Sequence, residues 1–205
     1  MLTNIVKISN VTNLSDARYC AGMGVEMLGF SMDEMGAHYI TPKKFGEISS
    51  WISGVKMVIE TFETDVDSLL SKLTEYQVDY IEINDSGIIQ ELKSKSDLPV
   101  ILRIDVYNTD DLESIVNRNG LDIAYFLLDS NSGASLNVEW LELIKQLGQD
   151  YKLLIGFGIE DATSVKDLDI ENPNIGIGLK GSDEIRPGFK DFGSMMDILE
   201  ELEDM

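Results

Sequence analysis

Short β-rich runs alternate with amphipathic segments along the whole chain, and this alternation limits the possible folds more than any other feature of the sequence. About eight such units follow one another, joined by connections of a few residues. Crossovers from one parallel strand through a helix to the next are right-handed, and eight of them can close a sheet into a barrel. We therefore predict an α/β fold in which residues 1–205 form a single (β/α)8 TIM barrel domain with parallel strands and short loops. The predicted strands are residues 5–8, 27–30, 55–59, 80–83, 100–104, 123–128, 153–155 and 175–179.

Loop composition favours a closed barrel over the alternative, an open doubly wound sheet. Glycine-bearing loops recur after the second, seventh and eighth strands. No G-x-G-x-x-G sequence follows the first strand, where many doubly wound folds bind a dinucleotide.

Residues that favour helix starts mark several of the predicted helices. Asn13 precedes the first amphipathic segment, and Asp16 places a carboxylate near the positive end of that helix. Pro42 stands in the first turn of the second helix. The last helix is expected over about residues 189–203.

Charge narrows the classes of partner. The formal net charge is −21, from 37 acidic and 16 basic residues, and such a field repels phosphodiester backbones and anionic lipids. We expect no nucleic-acid partner and no membrane partner. A small phosphorylated metabolite remains compatible, because backbone N–H groups at a helix N-terminus can hold a phosphate whatever the surface charge.

The sequence also predicts a cytoplasmic protein. Cys20 is the only cysteine, so no internal disulfide can form, and its place inside the first predicted helix indicates a buried structural residue. No apolar run approaches the roughly 20 residues that a membrane span needs. The first residues lack the basic and apolar regions of a signal peptide.

Candidate site residues lie where the predicted strands end, because active sites of such barrels lie at the carboxyl ends of the strands. Asp129 ends strand six, where an aspartate either belongs to a site or only forms an Asx-type turn. The loops after strands seven and eight form the usual phosphate site of these barrels, although structural glycines would explain the same composition. The candidate ligand-binding residues there are Gly156, Gly158, Lys180, Gly181 and Ser182.

Three segments resemble the phosphoribosylanthranilate isomerase family, whose members are barrels of tryptophan biosynthesis. The run Lys7-Ile8-Ser9-Asn10-Val11-Thr12 is similar to the family's K-I-C-G-x-T at the first strand. The run Leu127-Leu128-Asp129-Ser130 matches the family's L-L-D-S, and Pro187-Gly188-Phe189-Lys190-Asp191 matches its sequence before the last helix. The role of this last segment is predicted to be architectural, with the proline and glycine placing the helix start and Asp191 supporting its first turn.

The resemblance implies an Amadori rearrangement in which Asp129 is the general acid. Ser9 stands where the family has its catalytic cysteine, the general base. A serine hydroxyl does not ionise usefully without an adjacent base, so the alternative is that Ser9 and Asn10 only form hydrogen bonds in the loop. Lys7 lies two residues before Ser9 and would point to the same side of the strand.

Two further binding positions also differ from the family. His38 stands where the family has an arginine that contacts the anthranilate carboxylate, and an exposed structural histidine is the alternative. In Ile81-Glu82-Ile83-Asn84-Asp85, which corresponds to the family's Q-L-H-G, Asn84 replaces the histidine. His38 is the only histidine, so no His-based metal site is expected, and we expect no cofactor.

Three functions remain open on the sequence alone. The first is a divergent phosphoribosylanthranilate isomerase with impaired or altered activity. The second is a barrel that binds a phosphorylated or other anionic small molecule and performs different chemistry. The third is a noncatalytic homologue with a structural or regulatory role. The sequence leaves the oligomeric state open.

Overall fold

Eight parallel strands close into a barrel in the computed structural model of this chain, and they pair in sequence order. The last strand pairs with the first, with Ser9 opposite Lys180, and this pairing closes the barrel. The prediction of a (β/α)8 barrel is therefore confirmed, and the open sheet is excluded. The strands are β1 Val6–Ser9, β2 Met27–Ser31, β3 Lys56–Glu60, β4 Tyr80–Ile83, β5 Val100–Asp105, β6 Tyr125–Asp129, β7 Leu153–Ile155 and β8 Ile175–Lys180.

The structure describes residues 2, 4–107, 109–120, 122–166, 168, 171–181, 184–186, 189–190 and 193–204. Ser182, Pro187, Gly188 and Asp191 lie outside these ranges, and so do the roles predicted for them. Within the described ranges, each barrel strand is followed by a helix. The helices are α1 Leu14–Gly22, α2 Pro42–Ser49, α3 Val66–Leu73, α4 Ile89–Lys95, α5 Thr109–Asn119, α6 Val138–Leu147, α7 Ala162–Lys166 and α8 Gly193–Asp204.

The helix starts confirm the predicted capping residues. The Asn13 side chain accepts a hydrogen bond of 2.9 Å from the Asp16 backbone N–H, which satisfies a donor that the first turn of α1 leaves open. Pro42 opens α2, where its missing N–H costs nothing. A single 3-10 turn, Ser86–Ile88, leads into α4.

The predicted start of the last helix at residue 189 was wrong. Glu184–Arg186 and Phe189–Lys190 form a short antiparallel pair, β9 and β10, with Phe189 opposite Arg186. Phenylalanine and isoleucine favour strands, and pairing satisfies backbone groups that the start of an isolated helix would leave open. The helix α8 begins only at Gly193.

The barrel has two apolar layers. The larger lies between the strands and the surrounding helices, and it includes Cys20, which is fully buried as expected for a structural cysteine. The smaller fills the amino-terminal half of the barrel interior. Its buried members are Met27, Val58, Ile101, Tyr125, Leu127 and Leu154.

The carboxyl-terminal half of the interior carries charges instead of apolar side chains. Lys7, Glu60, Glu82 and Asp129 are all buried, and each lies on the inward face of a different strand. This half of the barrel is where the strands end and where the loops begin. Among the helices described, none is long and apolar enough to cross a membrane.

Candidate functional site

A cleft opens at the carboxyl ends of β1 to β5. Its cavity volume is about 30 Å³, far below the roughly 300–1,000 Å³ of sites that enclose a small molecule, so the cleft is shallow and narrow. Its described lining mixes acidic, polar and aromatic side chains with one arginine. These residues are Asn10, Ser31, Asp33, Glu60, Thr61, Phe62, Glu82, Ile83, Asn84 and Arg103.

A buried cluster around Lys7 forms one side of the site. The Lys7 side chain has no exposed surface, and its ammonium pairs with Glu60 Oε1 and lies 2.8 Å from Glu82 Oε2. The ammonium also donates a hydrogen bond of 2.6 Å to Ser9 Oγ. Period-two alternation along β1 turns Lys7 and Ser9 to the same interior face, as predicted.

Gly29 on β2 makes room for the Lys7 cluster. A Cβ atom at this position would overlap the Glu60 carboxylate and would lie 2.9 Å from Lys7 Nζ. Any larger residue at position 29 would therefore push the ion pair apart. The glycine here is required by a side chain of a neighbouring strand rather than by its own backbone conformation.

The two carboxylates of this cluster differ in their partners. Glu60 uses both oxygens, because Oε2 accepts a hydrogen bond of 3.0 Å from the Asn10 backbone N–H. Asn10 adopts a left-handed conformation, with φ of 60°, which asparagine tolerates better than most residues. Glu82 Oε2 is buried and has the Lys7 ammonium as its ion-pair partner, but it makes no hydrogen bond within the described part of the chain.

Burial and neighbouring charges shift the pKa values of this cluster. Burial alone would lower the pKa of Lys7, but Glu60 and Glu82 raise it above its usual value, so the side chain is a stable cation. Burial raises the pKa of Glu82, and the negative charge of Glu60 adds to this, while Lys7 and Arg103 act in the opposite direction. The net shift of Glu82 is upward, toward the neutral acid.

A second cluster surrounds Asp129 at the end of β6. Arg103 Nη2 lies 2.5 Å from Asp129 Oδ2, and Lys180 Nζ lies 3.0 Å from both carboxylate oxygens. The Ser130 backbone N–H donates a further hydrogen bond of 2.9 Å to Oδ1. Burial alone would raise the pKa of Asp129, but Lys180, Arg103 and this N–H hold it below its usual value.

The predicted glycines have close neighbours in the barrel. A Cβ on Gly156 would lie 3.1 Å from the Leu128 carbonyl oxygen and 3.3 Å from Leu127 Cδ1. Gly158 has a φ of 68°, and a Cβ there would lie 2.7 Å from the Leu136 backbone nitrogen. The Gly181 N–H donates to the Ser9 carbonyl at 2.7 Å, which helps to close the barrel. Each glycine thus has a packing reason that does not need a phosphate.

The remaining predicted residues lie at different depths. Asn84 is exposed and lines the cleft. His38 is half-buried in the loop before α2, and it is not among the described residues that line the cleft. Lys180 is half-exposed and reaches Asp129, so the structure brings these two predicted residues together.

Most of the described residues that line the cleft were missed by the sequence reasoning, and four of them bear on the chemistry of the site. Glu60, Glu82 and Arg103 take part in the two clusters, and the Arg103 guanidinium lies 5.9 Å above the centre of the Phe62 ring. A sequence signal was present, because each of the three charged residues interrupts an apolar strand near its end. Charged side chains inside buried strands are rare unless they are paired or functional.

Several curated relatives of this chain carry the same name. An N-(5'-phosphoribosyl)anthranilate isomerase of Petrotoga mobilis is 25% identical over 207 residues, covering 96% of this chain and 96% of the relative. The protein of the same name from Parabacteroides distasonis is 22% identical, covering 97% and 93%. A comparison with models of protein families finds no match.

Solved structures show the same fold. The crystal structure of phosphoribosylanthranilate isomerase from Thermotoga maritima has a TM-score of 0.77 and 21% identity, with full coverage of both chains. A complex of phosphoribosylanthranilate isomerase with reduced 1-(o-carboxyphenylamino)-1-deoxyribulose 5-phosphate has a TM-score of 0.76 and 21% identity, again with full coverage. The likeness extends over the whole barrel.

Proposed function

Because this chain is a divergent member of the phosphoribosylanthranilate isomerase family, we propose that it performs the Amadori rearrangement of phosphoribosylanthranilate. The reaction converts an aminoaldose into an aminoketose within one molecule, as a step of tryptophan biosynthesis in the cytoplasm. One observation carries this proposal. Asp129, the aspartate of the L-L-D-S match, lies buried at the barrel mouth between two cations that suit an anionic ligand.

The substrate carries a carboxylate and a phosphate, and both need positive partners. Arg103 lines the cleft, and its planar guanidinium can bind a carboxylate through two parallel hydrogen bonds. Phe62 lies under the guanidinium and offers an aromatic face to the anthranilate ring. Lys180 is half-exposed at the end of β8, on the side where such barrels bind phosphate.

Asp129 is the proton donor in this proposal, but in the ligand-free protein it is held as a carboxylate. Anionic groups of the substrate compete with Asp129 for Arg103 and Lys180. Burial raises the pKa of Asp129, and the two cations counteract this effect. When the cations turn toward the substrate, they no longer lower the pKa of Asp129, so it rises. Substrate binding therefore prepares the acid that opens the sugar ring.

Ser9 has a binding role in this scheme. Its hydroxyl oxygen accepts a hydrogen bond from a permanent cation, and an ammonium cannot take the hydroxyl proton. Ser9 therefore lacks the adjacent base that nucleophilic or basic serines require. We expect a lower rate than in relatives that carry a thiol at this position.

A second candidate is a barrel that binds a phosphorylated or other anionic small molecule without this reaction. It is favoured by the position of His38, which is not among the described residues that line the cleft. A noncatalytic role is the third candidate.

One pair of measurements separates these candidates. Turnover of phosphoribosylanthranilate is followed by chromatography, and binding of reduced 1-(o-carboxyphenylamino)-1-deoxyribulose 5-phosphate is followed by calorimetry. Turnover together with binding supports the isomerase. Binding without turnover supports the second candidate, and the absence of both supports a noncatalytic role. Complementation of a tryptophan auxotroph gives an independent check of turnover.

A further inference from the structure

We propose that Glu82, rather than Ser9, is the general base that accepts the C2 proton of the ring-opened sugar. The inference rests on the isomerase function proposed above and assigns the base that the missing cysteine leaves open. It depends on position, on charge balance and on the partners of each oxygen in the Lys7 cluster.

Position places Glu82 beside residue 9. Ser9 Oγ lies 2.6 Å from Lys7 Nζ, and Glu82 Oε2 lies 2.8 Å from the same nitrogen. Both oxygens are thus held by one ammonium at the base of the barrel mouth. Glu82 also lines the cleft, so a ligand that fills the cleft lies against its side chain.

Charge balance makes one carboxyl of the cluster able to hold a proton. Lys7 supplies one positive charge, whereas Glu60 and Glu82 together supply two negative charges in a largely buried site. Arg103 faces Glu82 from β5, but it is paired with Asp129. The charged groups that surround Glu82 are therefore Lys7 from β1, Glu60 from β3 and Arg103 from β5.

The hydrogen bonds decide which carboxyl that is. Glu60 has both the Lys7 ammonium and the Asn10 N–H as donors, and both stabilise its ionised form. Glu82 has the ion pair with Lys7 but no second donor among the described residues, and its side chain is 4% exposed. Burial accordingly raises the pKa of Glu82 above its usual range, so its carboxylate is a stronger base than that of an exposed glutamate.

The chemical step balances with Asp129 as the acid. Asp129 gives its proton to the ring oxygen, the bond from C1 to that oxygen breaks, and the nitrogen lone pair forms the C1=N bond. The Glu82 carboxylate then takes the proton from C2, the C–H electron pair forms the C1=C2 bond, and the C1=N electrons return to nitrogen. The resulting enolamine becomes the ketone when C1 gains a proton and the C2 hydroxyl loses one. Water returns the proton from Glu82 to Asp129.

The pH dependence follows from the ionised form being active. The rate rises as the pH rises through the pKa of Glu82 in the complex, so kcat has an acid limb. Removing the negative charge of Glu60 lowers that pKa, because a like charge no longer opposes ionisation. Glu60→Gln therefore moves the acid limb to lower pH, whereas a purely structural role of Glu82 would leave the limb where it is.

The test compares kcat against pH for the wild-type protein and for Glu82→Gln, Glu82→Asp and Glu60→Gln. Loss of a general base is typically worth about 10²- to 10⁴-fold, and we expect Glu82→Gln to lose that much of kcat. We expect its affinity for reduced 1-(o-carboxyphenylamino)-1-deoxyribulose 5-phosphate to change by only about threefold, well under the roughly 1.4 kcal/mol that a tenfold change represents. Glu82→Asp should retain part of the rate, because it keeps a carboxylate.

Two results would overturn the assignment. One is a Glu82→Gln protein that keeps the wild-type kcat, and the other is an acid limb that does not move in Glu60→Gln. The second result decides the matter even if Glu82→Gln does not fold. A wild-type protein that neither turns over phosphoribosylanthranilate nor binds the reduced product analogue contradicts the proposed function itself, and the assignment of Glu82 then fails with it.

Discussion

The two sides of the barrel mouth contain the same kinds of charged side chain, but the pKa of the buried carboxyl is shifted in opposite directions on the two sides. In the Lys7 cluster, one buried cation faces two carboxylates, and the pKa of Glu82 is raised. In the Asp129 cluster, one buried carboxylate faces two cations, and its pKa is lowered. The ratio of acids to bases and the degree of burial decide the protonation state more than residue type does.

This difference assigns complementary tasks to the two sides. A carboxyl whose pKa is raised, such as that of Glu82, accepts a proton more readily than an exposed one. A group held ionised by cations becomes a proton donor only when a ligand draws those cations away. The contrast is a property of the ligand-free barrel, and substrate would partly remove it.

The largest effect is expected on the Asp129 side. Asp129→Asn removes the proton donor while nearly preserving its shape, so we expect kcat to fall about 10²- to 10⁴-fold. Steady-state kinetics at saturating substrate measures this. Asp105→Asn is a matched control, because Asp105 ends the neighbouring strand and bonds Tyr107 and Asn131 instead of the two cations. An equal loss in both variants would mean that the effect is not specific to Asp129.

A large loss of stability is expected on the Lys7 side. Lys7→Met leaves two buried carboxylates without their cation, and breaking such a pair costs about 3–5 kcal/mol. Urea unfolding measures the free energy. The loss should shrink as the pH falls, because protonation of Glu82, whose pKa is already raised, removes part of the uncompensated charge.

The control for this prediction is a surface pair. Lys56→Met removes the partner of Asp79, and both side chains are well exposed, so we expect a much smaller change in the free energy of unfolding than for Lys7→Met. Similar losses of stability for Lys7→Met and Lys56→Met would show that burial of the Lys7 cluster has no energetic consequence. The proposed difference between the Lys7 cluster and the Asp129 cluster would then lack support.

A smaller gain in rate is expected from Ser9→Cys. The Lys7 ammonium at 2.6 Å from position 9 would stabilise a thiolate and lower its pKa, so a second base becomes available. We expect kcat to rise about tenfold. This is less than the rate increase that a general base usually gives, because Glu82 already accepts the proton. Iodoacetamide modification against pH gives the thiol pKa directly. A thiol with an unshifted pKa would contradict the placement of the Lys7 cation.

The smallest effect is expected from binding residues. His38→Arg restores a guanidinium at the position that the family uses for the anthranilate carboxylate, so we expect KM to fall a few-fold with little change in kcat. His38 lies outside the cleft lining, which limits the gain. A change in kcat without a change in KM would place residue 38 closer to the chemistry than this structure does.

The fold could be predicted from the sequence because it depends on local periodicity. The β-rich runs at 80–83 and 153–155 coincide with β4 and β7, and the other predicted strands differ by a few residues at their ends. Prediction was wrong at Phe189, where pairing with Arg186 overrides the helical pattern. The short antiparallel pair formed by β9 and β10 lies outside the eight β/α units, so the periodicity of apolar residues in the sequence does not predict it.

The site could be predicted only in part. Ser9, Lys7 and Asp129 were predicted as candidates because each lies at the end of a strand or beside a family motif, and the structure places them in the two charged clusters. Glu60, Glu82 and Arg103 act through contacts between strands, which depend on barrel register and cannot be read from one segment. The glycines at 156 and 158 were recognised, but their neighbours Leu127, Leu128 and Leu136 come from the strand and loop before them.

The most direct test of the account is the conversion of phosphoribosylanthranilate by the wild-type protein beside Asp129→Asn and Glu82→Gln. Product is measured by chromatography under identical conditions, with the folded state of each protein checked by circular dichroism. We predict conversion by the wild-type protein and a loss of about 10²-fold or more in each variant, since one lacks the acid and the other the base. Conversion by the wild-type protein no faster than by either variant would contradict the claim that these two clusters form an active site.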